Sequence, residues 1–217
     1  MIRLDIISDP ICPWCYIGKA RLETALRRDG SKPFDIHWRP FQLNPDMPPE
    51  GMDRQTYLEG KFGKTNAAAF YGQIAEAAMG SGLDVRFDQI SRTPNTIDAH
   101  RLIRWAHVEG VENAVVSTLF VRYFREGQDI SDHAVLCDVA ERCAMDPAAV
   151  SRLLAGDADR AEVVAEDAQF RAMGVSGVPC FIIDNRFVVN GAQEPDMWLQ
   201  VIKDIHAQVN AADEVAQ

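Results

Sequence analysis

An apolar run, Ile2 to Ile7, broken by Asp5, stops at Ser8-Asp9-Pro10 and hands over to Cys12-Pro13-Trp14-Cys15 and an amphipathic helix closed by Asp29-Gly30. A short apolar run ended by proline reads as a buried strand. Pro13, in a first helical turn that needs no N–H at that point, puts Cys12 at or next to the N-cap. The N–H groups of that turn, those of Trp14 and Cys15, are then expected to face the Cys12 sulfur and favour its thiolate. Cys12 is the expected nucleophile. Cys15, one turn deeper, is within reach of a mixed disulfide on Cys12 and is the expected resolving thiol.

Two other readings of the bare motif are half of a zinc site and a pair of inert thiols. A structural zinc asks for four ligands, usually from a second CxxC or a paired histidine motif. Cys137, Cys143 and Cys180 show no such spacing, and no two of the five histidines are three to five residues apart, so no metal is expected. Cys137 and Cys143 are six apart on one helix, on different faces, and are expected to be separate core or surface thiols. The formal net charge of −10 argues against nucleic acid or an anionic membrane as partner. The first residues read as strand rather than as an export signal, and no run is long and apolar enough for a membrane span. The expected location is therefore the cytoplasm, where thiols are kept reduced and a CxxC is catalytic or redox-sensing more often than structural.

Along the chain, a second strand from Phe34 to Phe41 follows the first helix, giving a right-handed βαβ unit with the dithiol at the C-terminal end of its first strand. His37 lies on its polar face and is expected to be solvated. The proline-rich stretch from Gln42 to Asp53 reads as a loop. Seven helical segments follow between Arg54 and Met173, with Asp132 and Asp146 as N-caps and Gly80, Gly110 and Gly127 as terminators. Strand chemistry returns as a hairpin, Val178 to Ile183 and Arg186 to Asn190, around Asp184-Asn185. Pro195 opens a last amphipathic helix whose tail, Ala211 to Gln217, is expected to fray. The expected organisation is an α/β domain formed by residues 1–53 and 174–217, interrupted by a helical insertion at 54–173.

Three segments carry a family resemblance: DPICPWCYIG at 9–18, NTIDAHRL at 95–102, and GVSGVPCF at 174–181 followed by VNGAQ at 189–193. Together they resemble DsbA-like oxidoreductases, a thioredoxin fold with an inserted helical domain, and within them the FrnE subgroup. The resemblance implies a cis peptide bond at Val178-Pro179 facing the dithiol, so that the Val178 backbone can pair with an extended substrate or with glutathione. It also places Asn95 and His100 near the groove above the motif, although Asn95 alone reads as a helix N-cap and His100 equally as a core histidine. Pro13, Trp14, Val178 and Pro179 complete the expected substrate-binding set. The same family includes 2-hydroxychromene-2-carboxylate isomerases and kappa-class glutathione transferases, which typically carry serine at the position of Cys12.

The resulting expectation is a thiol:disulfide oxidoreductase or isomerase acting on protein or small-molecule thiols and disulfides. It has no tightly bound cofactor, and glutathione is a candidate co-substrate. The alternative is a glutathione-dependent isomerase or transferase for small aromatic or polyketide-like molecules. Cys180, directly after the expected cis-proline, is either a third redox thiol or a small buried hydrophobe. Oligomeric state and redox direction are left open.

Overall fold

The computed structural model describes residues 1–63 and 66–215, with side chains outside 64–70 and 208–217. The chain runs β1 (Ile2–Ser8), α1 (Pro13–Asp29), β2 (Phe34–Pro40), β3 (Met52–Asp53), α2 (Arg54–Phe62), α3 (Asn66–Gly80), β4 (Arg92–Thr93), α4 (Ile97–Val108), α5 (Glu112–Phe124), α6 (His133–Arg142), α7 (Pro147–Leu154), α8 (Arg160–Ala172), β5 (Cys180–Ile183), β6 (Phe187–Asn190) and α9 (Pro195–Val215). Four of the strands form one mixed sheet, and a run of helices is inserted between β2 and β5.

The main sheet has the order β2-β1-β5-β6. β1 and β2 are parallel, from Ile2 opposite Phe34 to Ser8 opposite Pro40, and α1 supplies the crossover that parallel strands require. β5 joins β1 antiparallel, with Ile7 opposite Cys180, and β6 completes the hairpin. Asp184 and Asn185, both with positive φ, form the turn, as a type I′ geometry demands. The central strands are buried on both faces, which explains why β1 reads as an almost continuous apolar run. Its one carboxylate, Asp5, is buried between Arg3 and Arg39. Burial alone would raise its pKa, but hydrogen bonds from Arg3 (2.7 Å) and Arg39 (2.6 Å) hold it below the usual carboxylate range.

α1 and α9 pack together against the sheet, with Trp198 fully buried edge-on to Phe34 and Phe181, ring centroids 6.4 and 4.8 Å apart. Gly30, at φ 76°, closes α1 by returning its N–H to the Leu26 carbonyl. The insertion is tied to α1 by Tyr16, stacked on Phe120 and Phe124 of α5 at 5.0 and 5.7 Å. Within the insertion, buried Arg101 donates to the carbonyls of Leu153, Gly156 and Ala158, satisfying the turn between α7 and α8. Among the described residues no helix is long and apolar enough to cross a membrane.

Asp132 and Asp146 cap their helices by accepting from Ala134 and Ala148 N–H. Gly110 and Gly127 take positive φ, whereas Gly80 stays inside α3 and Gly82 makes the left-handed turn. Two further expectations, the start of the hairpin and the exposure of His37, are corrected. The ribbon of β3 with β4 was not anticipated, because two-residue strands carry no periodic signal. The hairpin begins at Cys180 rather than Val178. His37 is half-buried, bonded to Asp35 at 2.9 Å and set against the His107 ring, rather than solvated. The tail expected to fray is helical as far as Val215 and otherwise outside the described residues.

Gly18, on the buried side of α1, is closely approached by Pro179 and Phe181 and leaves little room for a side chain. A Cβ there would stand 3.1 Å from Pro179 Cγ, 3.4 Å from Phe181 Cζ and 3.5 Å from Ala192 Cα. Gly18→Ala is expected to destabilise the chain by about 1–3 kcal/mol, measured by urea denaturation.

Candidate active site

Cys12 is the N-cap of α1 and Pro13 its first residue. The Cys12 N–H donates to the Asp9 carbonyl at 2.9 Å, which tightens the turn out of β1, and the Cys12 carbonyl accepts from Cys15 and Tyr16 N–H at 3.1 and 3.3 Å. The expected N–H contacts to the sulfur are therefore not made. Its backbone oxygen caps the helix, and Cys12 Sγ instead points across the site to the Val178 carbonyl, 3.6 Å away. Val178-Pro179 is cis, and this loop forms the opposite wall.

Both cysteines are free thiols, Cys12 with 4% of its surface exposed and Cys15 with 1%. Burial pushes the Cys15 thiol well above its ordinary range, and the hydrogen bond and charge of Cys12 add to the rise. The Ser8 hydroxyl and the Asp9 N–H oppose it from behind the Cys15 sulfur. The arrangement is asymmetric: Cys12 opens to a cavity, and Cys15 sits behind it as a protonated thiol.

The cavity, about 220 Å³, is lined by Cys12, Pro13, Trp14 and Val178 on the thioredoxin side. The insertion side carries Arg54, Tyr57, Lys61, Phe62, Tyr71 and Tyr123. The Arg54 guanidinium is almost fully buried, donates to Tyr123 Oη at 3.1 Å and lies 5.1 Å from the centre of the Tyr71 ring. Among the described residues no carboxylate forms an ion pair with it. Lys61 donates to Tyr57 Oη at 2.7 Å and to Asn44 Oδ1 at 3.1 Å. These cations were missed from the sequence, although Arg54, Tyr57 and Lys61 stand at the three- and four-residue spacing that gathers side chains on one helix face.

Pro179 packs on Gly18 behind this cavity and does not line it. Asn95 does not line it either. Its amide donates to the Met47 carbonyl at 2.7 Å and accepts from Ile97 N–H at 3.0 Å, so it fixes the loop before α4 while Thr96 takes the N-cap position. His100 lies on the reverse side of the motif, in a separate cavity of about 370 Å³ shared with Ser8, Pro10 and Trp38. Neither placement matches the expected position in the groove: the Asn95 amide is engaged with loop backbone before α4, and His100, in the first turn of α4, faces Asp9. Cys180 is buried beside Ile7, and burial raises its thiol.

Asp9, fully buried beneath the motif, accepts from Leu43 and Ile11 N–H at 2.7 and 3.3 Å. Burial nevertheless pushes its pKa up to about 7 and pulls that of His100, with Nε2 3.9 Å from the Asp9 carboxyl, down to about 4. That separation is too long for a hydrogen bond. Burial disfavours charge on both, so between those values the contact is a neutral pair rather than an ion pair.

The family model of the DSBA-like thioredoxin domain matches residues 3–203. "Uncharacterized protein YwbO" of Bacillus subtilis (strain 168) is 26% identical over 204 residues, covering 94% of this chain and 96% of that protein. The structure named "probable DsbA oxidoreductase SCO1869", from Streptomyces coelicolor, superposes with a TM-score of 0.83 at 30% identity, covering 95% of this chain and 91% of that one. The cytosolic disulfide reductase DsbM from Pseudomonas aeruginosa, solved with GSH, shares the fold with a TM-score of 0.67 at 17% identity, covering 96% and 99% of the two chains.

Asp9 and His100 are expected to act on stability with opposite signs. Asp9 has a raised folded pKa, so between about 4 and about 7 the unfolded chain holds fewer protons and stability falls as pH rises. His100 has a lowered folded pKa, so between about 4 and the ordinary histidine value the unfolded chain holds more protons and stability rises with pH. Urea denaturation from pH 4 to 6.5 should show the rising slope in Asp9→Asn and the falling slope in His100→Gln.

Proposed function

The chain belongs to the DSBA-like thioredoxin domain family, and from that premise we propose that it is a thiol:disulfide oxidoreductase in which Cys12 attacks and Cys15 resolves. One observation carries the reading: Cys12 Sγ opens to a cavity beside the Val178 carbonyl, while Cys15 is buried behind it with its thiol pushed up. The Cys12 thiolate attacks one sulfur of a substrate disulfide. The substrate S–S bond breaks, its far sulfur leaves as a thiol after taking a proton, and a mixed disulfide remains on Cys12. The Cys15 thiol then loses its proton and attacks Cys12 Sγ, releasing the second substrate thiol. The substrate gains two electrons, and the Cys12–Cys15 pair is left oxidised. Run backwards, the same steps oxidise a dithiol.

The cavity supports a small or extended substrate. Arg54 and Lys61 supply positive charge above Cys12, and the tyrosines supply apolar walls, a combination suited to a thiol that carries carboxylates. Glutathione fits that chemistry and is proposed as co-substrate, returning the oxidised dithiol to its reduced form. The GSH of the DsbM structure is consistent with this. A reducing compartment, the cytoplasm, and membership of the FrnE subgroup belong to the same proposal, resting on the motif at 9–18 and the cis-proline segment.

The aromatic wall of Tyr57, Tyr71 and Tyr123 favours one second reading, a glutathione-dependent isomerase or transferase for small aromatic molecules. Turnover of such a substrate that survives Cys15→Ser would select it, because that chemistry needs no resolving thiol.

Cys12→Ser is expected to lower disulfide reduction by about a thousandfold or more, followed as thiol release from glutathione disulfide or a model protein; retained activity would sink the mechanism. Arg54→Met should raise KM for glutathione disulfide by about ten- to a hundredfold, the equivalent of one lost charge-assisted hydrogen bond. A disulfide without carboxylates should be unaffected.

A further inference from the structure

We propose that His37, His107 and Glu112 form a binding site for a divalent transition metal of the zinc class, joining the edge of the sheet to the corner between α4 and α5. One ligand atom from each of the three lies within 4.8 Å of the others. They come from β2, from the last turn of α4 and from the first residue of α5, so a metal held here would bridge the thioredoxin sheet and the insertion.

The surroundings are organised as a metal site requires. His37 Nε2 is bonded to Asp35 Oδ2 at 2.9 Å, which leaves Nδ1 as the free lone pair; that atom is buried and has no hydrogen-bond partner. A carboxylate behind a ligating imidazole fixes its tautomer and orientation in the same way. Glu112 is held from the other side, with Oε1 accepting the Trp38 N–H at 2.9 Å while Oε2 faces His107 Nδ1 at 3.1 Å. The His37 and His107 ring centroids are 5.1 Å apart.

Two imidazoles and one carboxylate are the donor set that zinc and neighbouring first-row ions accept, leaving one position for water. Zinc bonds of roughly 2.0–2.2 Å place ligand atoms about 3.3 Å apart. The His107–Glu112 pair is already at that spacing, and the remaining contraction lies between this pair and His37, with the 48% exposed His107 on the solvent side. His107 and Glu112 also line the 370 Å³ cavity, so the fourth position can be reached from solvent. Spacing rules could not show the site, because its histidines are seventy residues apart in sequence.

The test is zinc binding by equilibrium dialysis, with the full chain carrying Cys12→Ser and Cys15→Ser so that the dithiol cannot bind the metal. One zinc per chain is expected, together with a rise in melting temperature. His107→Ala, at a half-exposed position, should weaken binding at least tenfold and abolish the rise while keeping the metal-free melting temperature. Asp35→Asn should weaken binding by about ten- to a hundredfold. The cobalt form should show visible bands without thiolate charge transfer. Absence of stoichiometric zinc, zinc affinity unchanged in His107→Ala, or a thiolate band with cobalt would each overturn the proposal.

Discussion

The structure depends on how the backbone of Cys12 is used. Its carbonyl receives the first N–H groups of α1, its N–H closes the turn from Asp9, and the side chain is left to point away from the helix toward Val178. A residue that caps with its backbone keeps its side chain free for chemistry. The rest of the local sequence serves that geometry: Pro13 tolerates the missing N–H, Gly18 lets the 178–179 loop approach, and β5 pairs with β1 so that the loop arrives opposite the sulfur.

The polar groups buried around this point are specialised by their partners. Asp5 has two arginines and stays ionised, whereas Asp9 has neutral donors, the Leu43 and Ile11 N–H groups and the Thr96 side chain, with no cation among them, and its pKa climbs. Arg54 is buried among tyrosines with no carboxylate ion pair among the described residues, and the charge is available to whatever enters above Cys12. The same low-dielectric surroundings that make an unpaired buried group costly also strengthen its attraction to a ligand of opposite charge. The insertion thus supplies the wall and the cations of the cavity, while the sheet and α1 supply the sulfurs.

How much of this could be read from the residues follows from the range of each signal. The strand, dithiol and helix at the N-terminus were legible because β1 is apolar throughout and Pro13 and Gly30 mark the helix ends. The hairpin was legible from Asp184-Asn185, and the helices of the insertion from their periodicity and caps. The direction of a side chain was not: helix geometry aims the first-turn N–H groups at the Cys12 sulfur, and segment resemblance puts Asn95 and His100 at the groove, whereas the orientation of all three depends on packing between distant elements. The cations of α2 and the His37–His107–Glu112 cluster were missed for a related reason, since each acquires its meaning only when the insertion folds back over the sheet.

The central claim is the division of labour between the two sulfurs, and peptide mapping of the mixed disulfide tests it most directly. Cys15→Ser incubated with glutathione disulfide should accumulate a glutathione adduct on Cys12, and Cys12→Ser should accumulate none on Cys15. An adduct on Cys15 in the absence of Cys12, formed as fast as that on Cys12, would contradict the account.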